Sequence, residues 1–506
     1  MSRTHLSAVL LLGLLTACPI ARAALLPAKS DSVESSVLDQ RRAIEVYLPE
    51  ESAKDPKQRF ETLYVLDGDW NAKIVIDVVA FMRQLGMLPP VIVVSVPNYF
   101  DAKGVNSRDR DLTPSALSNE PRSGGAATFL RFLRTELLPY VEQRYPANGV
   151  RLIHGHSYGG LFLMYVLSND PQLFDGYLVL DPAMWWDNQS VNAALGTSLG
   201  RVPPSGRAIY IAGRSGFGIK DMALDGLDAA FRAHAPPSLH WTLTLYDDET
   251  HDSLKLRATY DGLKYLYGGY TQDRLDTAPS DGIVVKGHPI RLVVFGARVH
   301  LHYTTDGSVP TGASPGDSDG AITTDNPDEI RLAVLSNRGV FDRVIPVQLR
   351  AGVPLAPRAT GKGAEADSNW RYSVYSASAW PHLGTTKPTF QGSVTDELSL
   401  DRFGEAALVV SVHRRLRVLE DGYYVFAVDA NRARLGLDGA TLISDNGDLG
   451  HRTVTYLAPL RRGVYSLSVD LLKADAGSRV RVLVIQCNEK EPNWWTQKPW
   501  LELSGK

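Results

Sequence analysis

Short apolar runs recur through the first 270 residues: AIEVYLP (43–49), TLYVL (62–66), VIVVSV (91–96), RLIHG (151–155), GYLVL (176–180), AIYIA (208–212) and WTLTLY (241–246). Several are continuously apolar, as expected of strands buried on both faces of a parallel sheet, where alternation would mark a half-exposed one. Between them lie stretches with helical spacing. In FLRFLRTELLPYVEQRY, residues Phe129, Phe132, Leu133, Leu137 and Val141 fall on one stripe. Strand and helix alternating at this spacing predict a doubly wound α/β domain.

After Tyr270 the helical pattern disappears. IRLVVF (290–295), RVHLHYTT (298–305), IRLAVL (330–335) and RVIPVQL (343–349) read as short strands between turns. A Pro-, Gly- and Ala-rich stretch, RAGVPLAPRATGKGAEADS (350–368), follows and reads as a linker. A second β-rich segment begins at Trp370. The predicted fold class is α/β, a doubly wound sheet followed by two all-β sandwich modules. The expected division is 1–23 leader, 24–271 α/β domain, 272–352 small β-sandwich, 353–368 linker and 369–506 β-sandwich.

Length and charge agree with this division. A chain of 506 residues is too long for one core, and 53 Lys and Arg against 56 Asp and Glu give no electrostatic reason to expect nucleic acid as a partner. The first residues change the picture more. Arg3 and His5 precede an apolar run from Leu6 to Ala17, and Ala21-Arg22-Ala23 supplies a small-residue cleavage site. This is the pattern of a signal peptide, and it predicts a secreted or periplasmic protein. Leu15-Thr16-Ala17-Cys18 also matches a lipoprotein box, the alternative processing route, which would anchor the chain through Cys18. The run is too short for a bilayer span and no later one is longer, so no transmembrane span is expected. Cys18 and Cys487 are the two cysteines, so cleavage after Ala23 leaves no disulfide or cysteine metal site within the chain. Neither a metal nor a cofactor is expected.

The candidate chemistry centres on LIHGHSYGGLF (152–162). A Gly-X-Ser-X-Gly alone is a weak signal. Here an apolar strand precedes it and a helix-compatible run follows, which is the strand–turn–helix context of a nucleophile elbow. The turn would raise Ser157 at a helix N-terminus, where developing negative charge is favoured. The base should follow the last strand, and His251 in YDDETHDS stands there. His154 and His156 beside the serine read better as packing and supporting groups. The oxyanion needs two backbone donors: Tyr158, and a residue of the Asp67-Gly68-Asp69-Trp70 loop. Gly68 allows close approach there, and Asp69 or Trp70 donates. For the acid, Asp221 is the leading candidate, Asp181 in LVLDPAMWW the alternative, and a Ser–His dyad a third arrangement. Arg108 and Arg110 in SRDRDLTP either bind a substrate anion or pair with Asp109 and Asp111. Trp185 and Trp186 either stack on a substrate ring or pack a lid.

The motifs RRAIEVYLP, LYVLDGD, SRDRDLTP, GHSYGG, LFDGYLVLDPAMWWD and ETHDSLKLRATYDGLKYLY, in this order over residues 38 to 270, resemble the Putative esterase family of α/β hydrolases. That family includes esterase D, feruloyl esterases, enterochelin-type esterases and mycolyltransferases. The resemblance implies a serine enzyme acting on esters, with Ser157 as nucleophile and His251 as base. Many relatives carry an acidic residue in the turn after strand seven, where this chain has Arg214-Ser215-Gly216. VHLHYTTDGSVPT (299–311) resembles the small β-sandwich at the C-terminus of chitobiase. The segment around FAVDANRARL resembles the protective-antigen-type β-sandwich. Where that sandwich has an aspartate pair, this chain has Asp429-Ala430.

These features predict a carboxylesterase acting through an acyl-enzyme on Ser157. The β modules suggest acyl groups, acetyl or feruloyl, esterified to carbohydrate, with the modules themselves possible sugar binders. The alternatives are a siderophore esterase of the enterochelin type, an acyltransferase, and a carbohydrate-binding surface protein with an inert hydrolase domain.

Overall fold

The computed structural model describes residues 25–504 except 204–205, 273–274, 296–300, 317–320, 359–368, 377–379, 381–384, 405–406, 431, 446–451, 474–478 and 487–500. The leader, Cys18, Cys487 and most of the expected linker lie outside the described residues. The chain forms two units. The first runs to Gln272 and includes Ser336–Phe341; the second takes Asp273–Leu335 and Asp342 onwards.

The first unit is built on one eight-stranded sheet of β1 (Lys29–Ser35), β2 (Gln40–Tyr47), β3 (Phe60–Leu66), β4 (Val91–Val96), β5 (Ala147–His156), β6 (Gly176–Leu180), β7 (Ala208–Arg214) and β8 (His240–Tyr246), in spatial order β1-β2-β4-β3-β5-β6-β7-β8. β1 and β2 pair antiparallel, β2 joins β4 antiparallel, and the remaining neighbours are parallel. β4 and β6 are buried at every position, which is why their sequences are apolar throughout. Helices cover both faces, so two separate apolar layers form. One, on the face away from Gly68–Gln84, includes Ile153, Phe162 and Val179. The other includes Leu63, Val75, Leu178 and Leu263. Burial of the strand interiors fixes where their C-terminal ends emerge, and parallel strands with connections at that end gather loops into one crevice.

The helix expected from FLRFLRTELLPYVEQRY is present as Ala126–Phe132, a π-turn at Leu133–Leu137 and Leu138–Arg144. Pro139 lies at the start of the last segment, where it has no N–H to donate, and the widened turn just before it accommodates that break.

The second unit is rich in β-strands, forming several sheets. A seven-stranded sheet unites Asp281–Val284 and Gln348–Ala351 with strands from Glu397–Ser399 onwards. Its apolar core likewise joins Val284 and Leu292 to Val425 and Leu457. Leu355, within the expected linker, donates its amide to Pro459 O at 2.7 Å and accepts from Arg461 N at 3.0 Å. Residues on either side of the expected boundary therefore share both a sheet and a core.

Among the described residues, no helix is long and apolar enough to cross a membrane.

Candidate active site

β5 ends at His156 and the helix Tyr158–Asn169 begins two residues later, leaving Ser157 alone to make the turn. Ser157 has φ 58° and ψ −116°, a conformation costing on the order of 1–3 kcal/mol that the surrounding packing must impose. The flanking glycines show how. A Cβ on Gly155 would stand 2.6 Å from the Gly159 backbone, and one on Gly160 would stand 2.9 Å from Pro182 Cβ. Ser157 N donates to Leu180 O at 2.9 Å, tying the turn to the end of β6.

His251 follows β8 and is about a third exposed, with Nδ1 2.7 Å from Asp181 Oδ2. Its backbone carbonyl accepts from His156 Nε2 at 2.7 Å, and the two imidazole rings lie 4.3 Å apart. The His156 ring therefore supports the loop that carries His251. Burial, with the neighbouring His251 adding to it, pushes the His156 pKa down to about 3. Burial pushes that of His154, whose Nε2 meets Thr259 Oγ1, down to about 4. Both stay neutral at ordinary pH.

Asp221, expected to be the acid, does not approach His251 in this way. Its Oδ2 accepts from Arg214 Nη2 at 2.9 Å. Arg214 also donates Nε to Asp181 Oδ2 at 2.6 Å, so one carboxylate oxygen at the end of β6 receives both His251 and Arg214. Asp181 is wholly buried with φ 39°, and its Oδ1 has no hydrogen-bond partner among the described residues. Burial works against the charge of Arg214, but its bonds to Asp181 and Asp221 carry its pKa above the ordinary guanidinium value. The alternative acid, Asp181, is thus the one brought to the imidazole, and the end of β7 supplies a cation, Arg214, beside it.

The loop after β3 is equally constrained. Asp67 adopts φ 50° and caps the helix Gly68–Gln84. A Cβ on Gly68 would fall 2.2 Å from Ser95 Oγ. Trp70 N and Asn71 N both donate to Asp67 O at 2.9 Å, which commits the Trp70 amide to the helix. First-turn amides have no intrahelical acceptor, so Gly68 and Asp69 are the donors that this helix can offer, beside Tyr158 of the other. Two helices thus begin beside the cavity at Ser157, with first-turn amides that have no intrahelical acceptor.

Arg108 joins the two helices. It donates Nε to Asp67 Oδ1 at 2.8 Å and Nη2 to Asp67 Oδ2 at 3.1 Å, and its guanidinium carbon lies 5.3 Å from the Trp70 ring and 4.9 Å from that of Tyr158. Asn98 Nδ2 gives Asp67 Oδ1 a further bond at 2.9 Å. Burial nonetheless raises the Asp67 pKa, with Arg108 pulling against it. Neither Asp67 nor Asn98 was sought from the sequence; LDGD was read for its glycine, and the partner of a loop carboxylate has no periodicity to reveal it. Arg110 donates to Asp111 Oδ1 and Gln40 Oε1, so the pairing with Asp111, one of its two expected roles, is present. Trp186 is buried and donates Nε1 to Ser115 Oγ at 3.1 Å, while Trp185 is exposed.

Ser157, His251 and Arg108 line two adjoining cavities. The larger, about 650 Å³, is completed by Tyr158, Trp185 and Arg214. The smaller, about 230 Å³, reaches Asp67, Trp70 and Lys255. A serine on a strained turn, an imidazole oriented by a buried carboxylate and two amide-bearing helix ends around one cavity can support nucleophilic attack with oxyanion stabilisation. Among the described residues, no group of His, Cys, Asp and Glu is placed to hold a metal ion.

Residues 35–212 match the family profile described as Putative esterase. Among curated proteins, a siderophore triacetylfusarinine C esterase of Aspergillus fumigatus is 35% identical over 101 residues, 19% of this chain and 35% of that protein. Ferri-bacillibactin esterase BesA of Bacillus subtilis is 30% identical over 165 residues, 29% of this chain and 56% of that protein. The chain thus spans between about a third and somewhat over half of these relatives. Of solved structures, an IroE-like serine hydrolase from Shewanella oneidensis is 28% identical, with TM-score 0.44, covering 49% of this chain and 82% of that one. Over residues 35–212, then, the chain is similar to the Putative esterase family.

Proposed function

We propose that the first unit hydrolyses carboxylic esters through an acyl-enzyme on Ser157. The observation that carries this is the 2.7 Å contact of His251 Nδ1 with buried Asp181, beside a serine held on a strained strand–helix turn in the same cavity. Ser157 Oγ attacks the ester carbonyl while the Nε2 side of His251 takes its proton. The amides of Tyr158 and of Gly68 or Asp69 receive the oxyanion, and His251 returns the proton to the leaving alcohol. Water then repeats the sequence on the acyl-enzyme. Asp181 holds the imidazole in the tautomer that presents Nε2 to the serine.

The expected substrate, an acyl group esterified to carbohydrate, rests on the resemblance of the β-rich region to sandwiches found beside glycosidases. A siderophore ester is favoured instead by the names of the relatives and by Arg108 and Trp185 at the larger cavity, since a catecholate ligand is anionic and aromatic. The leader pattern suits either substrate outside the cytoplasm.

Reaction of the protein with a fluorophosphonate probe, followed by peptide mapping, is expected to label Ser157. Hydrolysis of a triscatecholate trilactone and of feruloylated and acetylated xylan by the same preparation then separates the substrate readings. An unlabelled Ser157 with no hydrolysis of any ester would overturn the catalytic reading.

A further inference from the structure

We infer that Arg214 is a positioning residue that holds the acid Asp181 at the end of β6 and sets the low-pH limit of turnover. The inference rests on the proposed Ser157–His251–Asp181 chemistry. Its basis is that Arg214 Nε and His251 Nδ1 meet the same oxygen, Asp181 Oδ2, at 2.6 and 2.7 Å, while Asp181 is wholly buried and its other oxygen has no partner among the described residues. A buried carboxylate with one accepting oxygen is costly to ionise unless a cation stands beside it. Arg214 is that cation, and it is oriented by its second bond, to Asp221 at 2.9 Å. The planar guanidinium suits this double engagement: two nitrogens on one rigid fork reach two carboxylates, which an ammonium could not do with fixed geometry.

Arg214 also shares Asp181 with the imidazole. Removing this positive charge would favour a proton on the Asp181–His251 couple, wherever within it the proton resides. Other charges near His251 are already matched. On β5, His156 is neutral; after β3, Asp67 is paired with Arg108; and on the loop and helix after β8, Asp252 is paired with Lys255 at 2.9 Å. Arg214 and its partner Asp221 are therefore the charges whose removal changes the couple most directly.

The test is the pH dependence of kcat/KM on a soluble ester for wild type, Arg214→Gln, Arg214→Lys and Asp221→Asn. In Arg214→Gln the acidic limb is expected to move to higher pH by about one unit, and kcat to fall about tenfold or more with KM little changed. Arg214→Lys keeps the limb near the wild-type position while kcat falls. Asp221→Asn removes a negative charge from the exposed side, so its limb stays or moves slightly down. A limb unmoved in Arg214→Gln, or moved up equally in Arg214→Lys, would overturn the inference. Should Arg214→Gln fail to fold, an upward shift in Asp221→Asn or Arg214→Lys overturns it equally well. Fluorophosphonate labelling of wild-type Ser157 separates the two failures: a labelled, active enzyme with an unmoved limb refutes only the role of Arg214.

Discussion

Among the described residues, serine, histidine and aspartate come together in each of the two units. In the first, the imidazole stands between the carboxylate and the cavity that also holds the serine. In the second, on the paired strands Leu408–Val418 and Gly463–Lys473, the serine stands in the middle. Ser411 Oγ donates to Asp470 Oδ1 at 2.5 Å and lies 3.0 Å from His413 Nε2. Ser411 is buried on a regular strand, directly across from Asp470. Its proton is committed to a carboxylate, and it stands within a strand and not on a turn that opens a helix. The three residue types carry no chemistry by themselves; their order and the backbone beneath them do.

The comparison can be broken by truncation at either site. Ser157→Ala and His251→Ala are each expected to lower kcat/KM by roughly 10⁴-fold or more. Ser411→Ala should leave ester hydrolysis within about twofold, because the two sites share no partners. Its effect is expected on stability: loss of the bond to partly desolvated Asp470 lowers the unfolding free energy by about 1–3 kcal/mol, measured by urea denaturation. Activity lost in Ser411→Ala and retained in Ser157→Ala would reverse the assignment.

A smaller effect sharpens the identity of the acid. Asp181→Asn, which puts an amide where the imidazole needs a carboxylate, should cost about 10³ to 10⁴ in kcat/KM. Asp221→Asn removes a half-exposed partner of Arg214 and should cost less than about tenfold. Equal losses would return Asp221 to consideration.

The smallest effect is on stability against pH, and here buried groups of the two units have opposite signs. His154 and His156 have folded pKa values of about 4 and about 3, below the ordinary 6.5. The unfolded chain thus binds more protons between these values. Their contribution is fully present above pH 6.5 and is lost as pH falls toward 4 and then 3. Asp470 is raised from 3.8 by burial, so its contribution is present at low pH and lost as pH rises through its folded value. Urea midpoints between pH 7 and 4.5 are therefore expected to fall for the first unit, with a shallower fall in His154→Gln. A midpoint that does not change over this range would contradict the neutral, buried state of both histidines.

Much of the α/β fold was legible because burial on both faces writes an unmistakable pattern: the runs at 91–96 and 176–180 coincide with β4 and β6. β1 was not legible. KSDSVES is an edge strand of mostly polar residues with Val33 and Ser35 alone buried, so hydrogen bonding to β2 defines it and hydrophobicity does not. The elbow could be located from its glycines, since close backbone approach excludes other residues at Gly155 and Gly160. The acid could not be chosen. Asp181 and Asp221 are both plausible by chain order, and the choice depends on which loop end lies beside β8, a distance that no local spacing encodes. The arginine that ends β7 was visible as a departure, but its bond to Asp181 links residues 33 apart in sequence.

The seam within the β-rich region bears on how the chain can be shortened. Strands on both sides of residues 353–368 lie in one sheet, and Val284, Val425 and Leu457 belong to one apolar cluster. A chain ended at residue 352 would keep Asp281–Val284 without the neighbour it pairs with at Tyr456 and Leu457. It would expose an open strand edge above a half-empty core, the surface on which chains adhere to one another. Cutting there should yield inclusion bodies in place of a tidy fragment.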